Sequence, residues 1–432
     1  MNVAFIGHGY VGLVTAAVFA EVGNTVWVVG RTKEKIDKLN AGIAPFYEPG
    51  LAEMLKRNVD AGRLKFTVDY KEAVEPSKII FICVGTPTTP STGEADLTQV
   101  FASATEIGKH LDGYKVVSVK STVPPGTNKK VGEILGRVKK ESATFGLASV
   151  PEFLREGSAL SDTLHPDRYV IGTETNEARD LVLEVHKSID GKAVTCNIET
   201  AELIKYASNA MLATKISFGN AIAILSEKVG ADVEKVLEGV GLDRRIGRNF
   251  LYPGVGYGGS CFPKDVKALI AIAKQFGYDF ELLRAVETIN KSMRSLFVEK
   301  VKQQVGDTKG KTIALLGVAF KPDTDDMREA PSIDIAKQLL ALGMHVVAYD
   351  PIAMEVAASV MSSEVVFAKT AIQAATNADV IAIITEWKEF RELDLEALGK
   401  VMKNKIIIDG RNMFDPEKVQ SAGFTYVGMG RG

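Results

Sequence analysis

The sequence predicts an α/β protein with two Rossmann-like, doubly wound parallel-sheet domains, joined by a long central helix and a helical middle region. Short apolar runs alternate with helical patterns over the first 125 residues, and the same rhythm returns from residue 311 to the end. Between them, near residues 195–230, lies a proline-free stretch rich in Ala, Leu, Ile, Lys and Glu. Apolar strands separated by helices are typical of parallel sheets that are buried on both faces.

The strands of both sheets are expected in short apolar runs. In the first half these runs are VAFIG, TVWVVG, IIFICVG and KVVSVKSTV, and in the last part they are KTIALLGVAF, HVVAYDP, VIAIITEW and KIIIDGRN. IIFICVGTP parallels VIAIITEW, and KVVSVKSTV parallels KIIIDGRN, so the two ends are expected to be related α/β halves. The predicted domains are 1–195, a central helical domain over 196–300, and 301–432.

Length and composition exclude several classes of protein. A chain of 432 residues exceeds what one hydrophobic core normally organises, and 46% apolar with 25% charged residues is ordinary globular material. The 52 basic and 54 acidic residues nearly balance, so no nucleic-acid partner is expected. No apolar run approaches the ~20 residues that span a bilayer, and the start lacks signal-peptide features. We therefore expect a cytoplasmic protein with no membrane partner.

The cysteines argue against a disulfide framework and against a metal site. Cys83, Cys196 and Cys261 are an odd number at wide spacing, with no C-x-x-C pair. This usage fits a reducing compartment, and no metal is expected. A conspicuous cysteine must then be explained by chemistry or by packing.

A glycine fingerprint predicts dinucleotide binding. GHGYVG places Gly7, Gly9 and Gly12 after the first strand, with Tyr10 and Val11 opening a helix. The glycines permit a tight turn and close backbone approach, and the helix N-terminus offers amides to a pyrophosphate. A ligand-free turn would not require all three glycines.

The second strand ends without the acidic residue that an NAD site expects there. Gly30 occupies that position, and Arg31, Thr32 and Lys35 follow. A ribose 2′-hydroxyl is usually held by Asp or Glu, whereas a 2′-phosphate calls for Arg and no carboxylate. Arg31 can fork onto a phosphate, Thr32 can donate a hydrogen bond and Lys35 adds positive charge. Alternatively Arg31 stacks on the adenine and backbone groups hold the ribose, so NAD, NADP and dual use all stay open.

A cysteine in a glycine-rich loop is the candidate nucleophile. GVGYGGSCFPKD places Cys261 beside Lys264 and Asp265, where cations and backbone amides would favour a thiolate. A structural cysteine would instead lie in an apolar strand, as Cys83 does. Cys261 is therefore expected to carry chemistry.

Several motifs together resemble the UDP-glucose 6-dehydrogenase family, within the UDP-glucose/GDP-mannose dehydrogenases. They are GHGYVGL, YEPGL, VGTPT, KSTVPPGT, PEFLREGSA, ELIKYASNAMLATKISFGN, GYGGSCFPKD and AFKPDTDDMREAPS, and they run from end to end of the chain. PEFLREGSA, HPDRYVIG and GYGGSCFPKD resemble the UDP-glucose branch more than the GDP-mannose or UDP-N-acetylmannosamine branches. Gly30 is the departure, because the family usually has an acidic residue there.

The resemblance implies a two-step, four-electron oxidation of UDP-glucose at C6 to UDP-glucuronate, with two dinucleotides used in turn. Cys261 would form a thiohemiacetal and then a thioester, which water hydrolyses. It also implies a UDP-sugar-binding domain over 301–432, and the long helix is expected to pair with its copy in a homodimer or larger assembly. The alternatives are a dehydrogenase for UDP-N-acetylmannosamine, GDP-mannose or UDP-galactose, or a non-catalytic dinucleotide-binding protein.

The same resemblance assigns the remaining catalytic candidates. Lys205 and Asn209 lie at i and i+4, on one helix face, and are expected to donate to the developing oxyanion. The alternative is a solvated lysine and a surface asparagine. Thr122, Glu152 and Asp265 match family positions that place a water and a base, and which carboxylate is the base stays open.

Further cofactor and substrate contacts are expected from loops that end strands, where ligands of parallel sheets bind. The cofactor candidates are Thr86, Thr122, Glu156, Lys264 and Arg328. The substrate candidates are Glu152, Phe153, Leu154, Arg155, Glu156, Lys205, Asn209, Arg245, Phe250, Leu251, Tyr252, Pro253, Gly254, Gly258, Phe320, Lys321 and Arg411. Lys321 and the arginines would neutralise the diphosphate. As alternatives, the arginines are surface ion-pair partners and the two glutamates are helix caps.

Overall fold

The computed structural model describes residues 1–431, which pack into two compact units. The first unit holds Met1–Ser208 and Lys267–Phe276. The second holds Asn209–Val266 and the described residues from Gly277 onward. Two helices therefore contribute to both units, and the three-domain division over 1–195, 196–300 and 301–432 stays a prediction.

The first unit is built on an eight-stranded sheet, in the order β3-β2-β1-β4-β5-β6-β7-β8. Neighbouring strands run parallel, except for the antiparallel pair of β6 and β7. The strands are β1 Asn2–Ile6, β2 Thr25–Val29, β3 Leu64–Thr67, β4 Ile79–Ile82, β5 Tyr114–Val119, β6 Thr144–Ser149, β7 Arg168–Thr173 and β8 Lys192–Cys196.

Helices cover this sheet and bury its apolar runs. The helices of the first unit are α1 Tyr10–Glu21, α2 Lys33–Asn40, α3 Leu51–Asp60, α4 Tyr70–Val74, α5 Thr98–Lys109, α6 Thr127–Val138, α7 Ala159–Leu164 and α8 Asn176–His186. Helix α1 is apolar around most of its circumference, and nine consecutive residues of it are buried. Its Phe19 packs edge-on against Phe5 and Phe81 of the central strands, so α1 is fixed against the sheet.

The second unit is built on a six-stranded parallel sheet, in the order β11-β10-β9-β12-β13-β14. Its strands are β9 Thr312–Leu316, β10 His345–Tyr349, β11 Val366–Phe367, β12 Val380–Ile383, β13 Ile406–Asp409 and β14 Thr425–Gly428. This order repeats the first six strands of the other sheet, with β9 in the place of β1. The predicted relation between the two halves is confirmed.

The remaining helices include the two that both units share. These helices are α9 Ile198–Val229 and α11 Phe262–Gln275, which are shared, and α10 Val233–Gly241, α12 Glu281–Val305, α13 Pro331–Ala341, α14 Met354–Val360, α15 Ala371–Ala375, α16 Lys388–Arg391, α17 Leu395–Val401 and α18 Pro416–Ser421. Helix α9 is the central helix that the sequence predicts near residues 195–230. Within residues 1–431, no helix has both the length and the apolar character needed to cross a bilayer.

Candidate active site

The turn between β1 and α1 is shaped for close approach of a ligand. Gly7 has φ of +112°, and a Cβ there would lie 2.6 Å from the carbonyl oxygen of Cys83. A Cβ on Gly12 would overlap the carbonyl oxygen of Gly7, whereas one on Gly9 would meet no heavy atom within 4 Å. The first turn of α1 carries no acidic residue and its N-cap makes no side-chain hydrogen bond, so the sequence of this turn adds no negative charge that would repel a phosphate. This geometry fits a dinucleotide pyrophosphate.

His8, which was not among the predicted site residues, lies over the end of β2. A Cβ on Gly30 would overlap His8 Cδ2 and would lie 2.6 Å from Ile36 Cδ1. The imidazole therefore occupies the space where an acidic side chain would begin. Arg31 and Lys35 are exposed beside it. The place of His8 inside the glycine fingerprint was the signal that could have identified it.

Glu48 joins three loops around the glycine turn. Its carboxylate accepts a hydrogen bond from the Tyr10 hydroxyl. It also accepts hydrogen bonds from the backbone N–H groups of Gly157 at 2.6 Å and Ala159 at 2.7 Å. Burial raises the pKa of Tyr10, and the bond to Glu48 and the charges of Glu48 and Glu156 raise it further. The phenol is thus held protonated as a donor. Glu48 was missed because its partners are far away in sequence, although it lies in the YEPGL motif.

The structure brings two predicted threonines together at the ends of β4 and β5. The Thr86 hydroxyl donates to the carbonyl of Thr122 at 3.0 Å. Beside it, the Ser121 hydroxyl donates to the Val84 carbonyl at 2.7 Å. Both loops follow the carboxyl ends of parallel strands, which is where such sheets bind ligands.

A buried ion pair joins Lys205 to Glu152. Lys205 Nζ lies 3.0 Å from Glu152 Oε1, and the two side chains are only 4% and 7% exposed. The other carboxylate oxygen accepts the Leu154 N–H at 2.9 Å. The Phe153 ring lies between two cations, with Lys205 Nζ at 5.3 Å and the Arg168 guanidinium at 3.7 Å from its centroid. Lys205 is therefore not the solvated surface lysine of the alternative interpretation.

Arg155 forms an ion pair with a residue that is near it in sequence. Its guanidinium forms a two-pronged pair with Asp162, at 2.7 and 2.9 Å, and its side chain is mostly exposed. The Ser158 hydroxyl donates to the same carboxylate at 3.1 Å. The pair shapes the loop that carries Glu152 and Glu156.

In the second unit, Cys261 directly precedes helix α11 and is partly exposed. Its Sγ lies 3.5 Å from the Ser260 hydroxyl, and its carbonyl accepts the Asp265 N–H at 2.8 Å. The amides at a helix N-terminus favour an anion, so this position suits a thiolate. Cys83 is the contrast, because burial raises the pKa of its thiol to about 12.

Asp265 is the buried centre of a polar cluster beside that cysteine. Asn209 Nδ2 donates to its Oδ2 at 2.6 Å, and Lys264 Nζ lies 2.5 Å from its Oδ1. Both carboxylate oxygens are thus used, and the side chain of Asp265 is 1% exposed. The structure brings together three predicted residues, and Asn209 is buried rather than on the surface.

Two buried asparagines, which were not among the predicted site residues, hold the loop that precedes Cys261. Asn220 Oδ1 accepts the Gly254 N–H at 2.8 Å. Asn290 binds both backbone groups of Tyr257, accepting its N–H at 2.7 Å and donating to its carbonyl at 3.1 Å. Amide side chains inside long helices were the available signal, since they need buried partners.

The same loop packs against the segment that follows β9. A Cβ on Gly258 would overlap the carbonyl of Glu329, and one on Gly259 would lie 2.6 Å from the Phe320 ring. The Gly259 N–H donates to the Arg328 carbonyl at 2.8 Å. Lys321 Nζ lies 5.5 Å from the centroid of the Phe320 ring. Gly258, Phe320 and Lys321, all predicted substrate contacts, are therefore neighbours.

The FLYPG segment enters this loop through a strained residue. Phe250 has φ of +67°, Leu251 and Pro253 are buried, and Tyr252 is exposed. The Arg248 guanidinium lies 4.9 Å from the centroid of the Tyr252 ring and donates to the Leu251 carbonyl. These contacts fix the turn that leads to Gly254.

The three predicted arginines of this unit differ in their surroundings. Arg411 is largely buried, donates to the carbonyls of Ile384 at 2.7 Å and Gly256 at 3.3 Å, and lies 3.1 Å from a Glu386 carboxylate oxygen. Arg245 and Arg328 are exposed and each pairs with an aspartate two residues away in sequence. Arg411 therefore supports the loop backbone, whereas the other two lie on the surface.

No group of three or more His, Cys, Asp or Glu side chains in residues 1–431 is arranged to hold a metal ion.

The glycine turn and the two Rossmann-type sheets define a dinucleotide-dependent oxidoreductase. Family models of UDP-glucose/GDP-mannose dehydrogenases match three stretches: the NAD binding domain over residues 1–190, the central domain over 199–292 and the UDP binding domain over 314–416. The chain belongs to the UDP-glucose/GDP-mannose dehydrogenase family. The resemblance seen in the motifs is confirmed.

Curated relatives match over the full chain. The UDP-glucose 6-dehydrogenase TuaD of Bacillus subtilis is 49% identical over 430 residues, covering 100% of this chain and 93% of the relative. The UDP-glucose 6-dehydrogenase of Rhizobium meliloti is 44% identical, with 100% of both chains covered.

Solved structures agree. A UDP-glucose dehydrogenase from Pyrobaculum islandicum has a TM-score of 0.93 at 38% identity, covering 100% of this chain and 98% of that one. A UDP-D-ManNAc dehydrogenase from Pyrococcus horikoshii has a TM-score of 0.88 at 30% identity, with 100% of both chains covered.

Proposed function

We propose that this chain oxidises UDP-glucose at C6 to UDP-glucuronate. The alcohol loses four electrons in two steps, and one water supplies the second carboxylate oxygen. NAD held at the turn of Gly7, Gly9 and Gly12 would supply the oxidant, one hydride acceptor for each oxidation, so two NAD would be consumed per carboxylate. The observation that supports this proposal most is Cys261 at the start of α11, beside the buried Asn209–Asp265–Lys264 cluster.

Cys261 carries the covalent part of the reaction. Its thiolate adds to the C6 aldehyde and forms a thiohemiacetal, which holds the intermediate for the second oxidation. Loss of the second hydride converts this adduct to a thioester. Water then attacks the thioester carbon, the C–S bond breaks, and the thiolate leaves with the carboxylate released.

Polar side chains of α9 stabilise the oxygen on C6. Lys205 and Asn209 lie one turn apart on this helix and donate to the developing oxyanion. Asp265 orients the Asn209 amide through their 2.6 Å hydrogen bond. Lys205 is held by Glu152, which with Thr122 places the hydrolytic water. Asp265 and Glu152 are the two candidates for the base.

The remaining site residues bind and orient the two ligands. The turn of Gly7, Gly9 and Gly12 holds the pyrophosphate of the dinucleotide, with Tyr10 and Val11 opening the helix. Domain 1–195 thus binds the cofactor, and domain 301–432 binds the UDP-sugar through the loop cluster around Lys321. Lys321 neutralises the diphosphate, with Arg245 and Arg411 as the further predicted cations.

A substrate panel tests this assignment. The purified chain is assayed with either NAD or NADP and with UDP-glucose, UDP-galactose, UDP-N-acetylmannosamine or GDP-mannose, and carboxylate product is measured alongside the reduced dinucleotide. We expect turnover on UDP-glucose with two reduced dinucleotides formed for each UDP-glucuronate. Turnover on another sugar instead would reassign the substrate. No oxidation of any of them would support a non-catalytic dinucleotide-binding protein.

The chain is expected to work as a homodimer paired through α9. Met211, Phe218 and Leu225 recur every seven residues along this helix, and their side chains are about half exposed at 59%, 49% and 54%. An apolar stripe of this period is self-complementary in a two-fold pair. Phe218→Glu should shift the mass in solution from dimer to monomer, whereas Val360→Glu, at an exposed apolar site on α14, should not. An unchanged dimer with Phe218→Glu would exclude this face.

We also propose that the chain acts in the cytoplasm. The proposal is supported by the three cysteines Cys83, Cys196 and Cys261, which form no disulfide, as is usual for proteins of a reducing compartment.

A further inference from the structure

Unpaired cations surround Gly30 at the end of β2. Within residues 1–431, Arg31 and Lys35 make no ion pair. Lys33 and Lys38, on the same stretch, each pair with a carboxylate four residues away at 3.0 Å. Acidic partners are therefore supplied to Lys33 and Lys38 but not to Arg31 and Lys35.

His8 adds a third basic group to this cluster. The Cβ position of Gly30 lies 3.0 Å from His8 Nε2 and overlaps Cδ2 of the same ring. Burial lowers the pKa of His8, and the charges of Lys35 and Arg31 lower it further, so both cations act on the imidazole. The lowered pKa favours the neutral imidazole, because protonation would place a third positive charge beside Arg31 and Lys35, and a bound anion would offset that repulsion.

A phosphate monoester carries the negative charge that this cluster of basic side chains lacks. Its two negative charges would relieve the repulsion among the basic groups, and Arg31 can bind two of its oxygens at once. Thr32 caps α2 with extended backbone and its side chain makes no capping hydrogen bond, so the hydroxyl is available as a donor. A ribose hydroxyl, in contrast, finds no carboxylate at Gly30 to accept its hydrogen bond.

We infer that His8, Arg31 and Lys35 bind the 2′-phosphate of NADP, and that His8 together with Gly30 determines the choice of cofactor. The inference rests on the proposed function only in that a dinucleotide is the oxidant. His8 lies between two glycines of the fingerprint, and it is the residue to which we assign the selectivity between NAD and NADP. NADP is thus expected to bind at least as tightly as NAD.

Direct binding tests this without any sugar substrate. NADP and NAD are titrated into the wild type, Arg31→Ala and His8→Ala by calorimetry at pH 7. Loss of hydrogen bonds to a charged group should weaken NADP about 10- to 100-fold in Arg31→Ala, and His8→Ala should also weaken NADP selectively, while NAD changes less than about threefold in both. Lys38→Ala, which removes a salt-bridged lysine of α2, is the matched control and should change neither affinity.

The pairing of His8 with Gly30 gives a second test. Gly30→Asp alone should weaken both cofactors, because the new side chain meets His8 and Ile36. Gly30→Asp with His8→Ala should recover NAD binding and reject NADP. If Gly30→Asp alone gives tight, NAD-selective binding, the role of His8 is overturned.

Other outcomes also decide the question. NADP binding more than tenfold weaker than NAD in the wild type would overturn the inference, as would equal losses of both cofactors in Arg31→Ala. Turnover of UDP-glucose is measured separately. Its absence would refute the proposed function while leaving these affinities, and the 2′-phosphate site, intact.

Discussion

The buried ion pair of Lys205 and Glu152 gives a prediction about stability that can be tested without UDP-glucose or a dinucleotide. Lys205→Met keeps the length of the side chain and removes the ammonium group 3.0 Å from the carboxylate. Glu152 still accepts the Leu154 N–H, but its charge is then buried without its ammonium partner. Breaking one side of a buried pair costs about 3–5 kcal/mol.

The expected change in melting temperature follows from the size of the first unit. A loss of about 3–5 kcal/mol corresponds to a fall in melting temperature on the order of 10 °C for a unit of roughly 200 residues. Differential scanning fluorimetry of the free protein measures this shift. Lys228→Met, at an exposed position of the same helix, is the matched control and should stay within about 0.5 kcal/mol of wild type.

The double variant tests the interaction itself. Adding Glu152→Gln to Lys205→Met removes the uncompensated charge, so the double variant should be more stable than Lys205→Met alone. If Lys205→Met melts within about 2 °C of wild type, or if Glu152→Gln gives no recovery, the two groups do not neutralise each other and the reasoning fails.

Two further predictions concern pH and the cysteine loop. Burial lowers the pKa of His186 to about 3 from 6.5, so its contribution to stability is complete above pH 6.5 and is lost as the pH falls from there toward 3. At pH 5.5 the wild type should therefore lose on the order of 1 kcal/mol relative to pH 7.5, and His186→Phe should not; melting curves with equal pH slopes would contradict this. Asn290→Ala removes both bonds to the Tyr257 backbone, so turnover of UDP-glucose should fall while calorimetry shows unchanged NAD affinity. A parallel loss of NAD binding would mean that the whole protein, not the loop, is affected.

The sheets were predictable where their strands are buried on both faces. Runs such as IIFI in β4 and VIAI in β12 are wholly buried, so their apolar composition predicts buried strands. The edge strands β3, β8, β11 and β14 were not predicted, and neither were β6 and β7 inside the larger sheet. Strand β8 is a KAVTC segment with four exposed residues, and β11 has two residues, so neither has an apolar signal. Their pairing is determined by neighbouring strands that are distant in sequence.

The candidate site residues could be proposed from sequence because motifs concentrate them. The glycine fingerprint and the loop of Cys261 could be interpreted from local sequence. The supporting residues Glu48, Asn220 and Asn290 could not, because each binds backbone groups far away in the chain and looks ordinary in its own segment.

His8 was missed for a different reason. A residue between two fingerprint glycines is treated as variable, and only the folded chain shows it against Gly30. The missing acidic residue was visible in the sequence, whereas the group that fills its space was not.

The role of Cys261 is the central claim, and one measurement tests it most directly. UDP-glucuronate formed from UDP-glucose and NAD is quantified for wild type and Cys261→Ser, with UDP-glucose affinity measured by calorimetry in both. We expect Cys261→Ser to bind UDP-glucose normally and to form no net UDP-glucuronate, with an ester-linked adduct trapped on the protein after the serine oxygen has added to the aldehyde and a second hydride has been lost. Carboxylate production near the wild-type rate would contradict the covalent route.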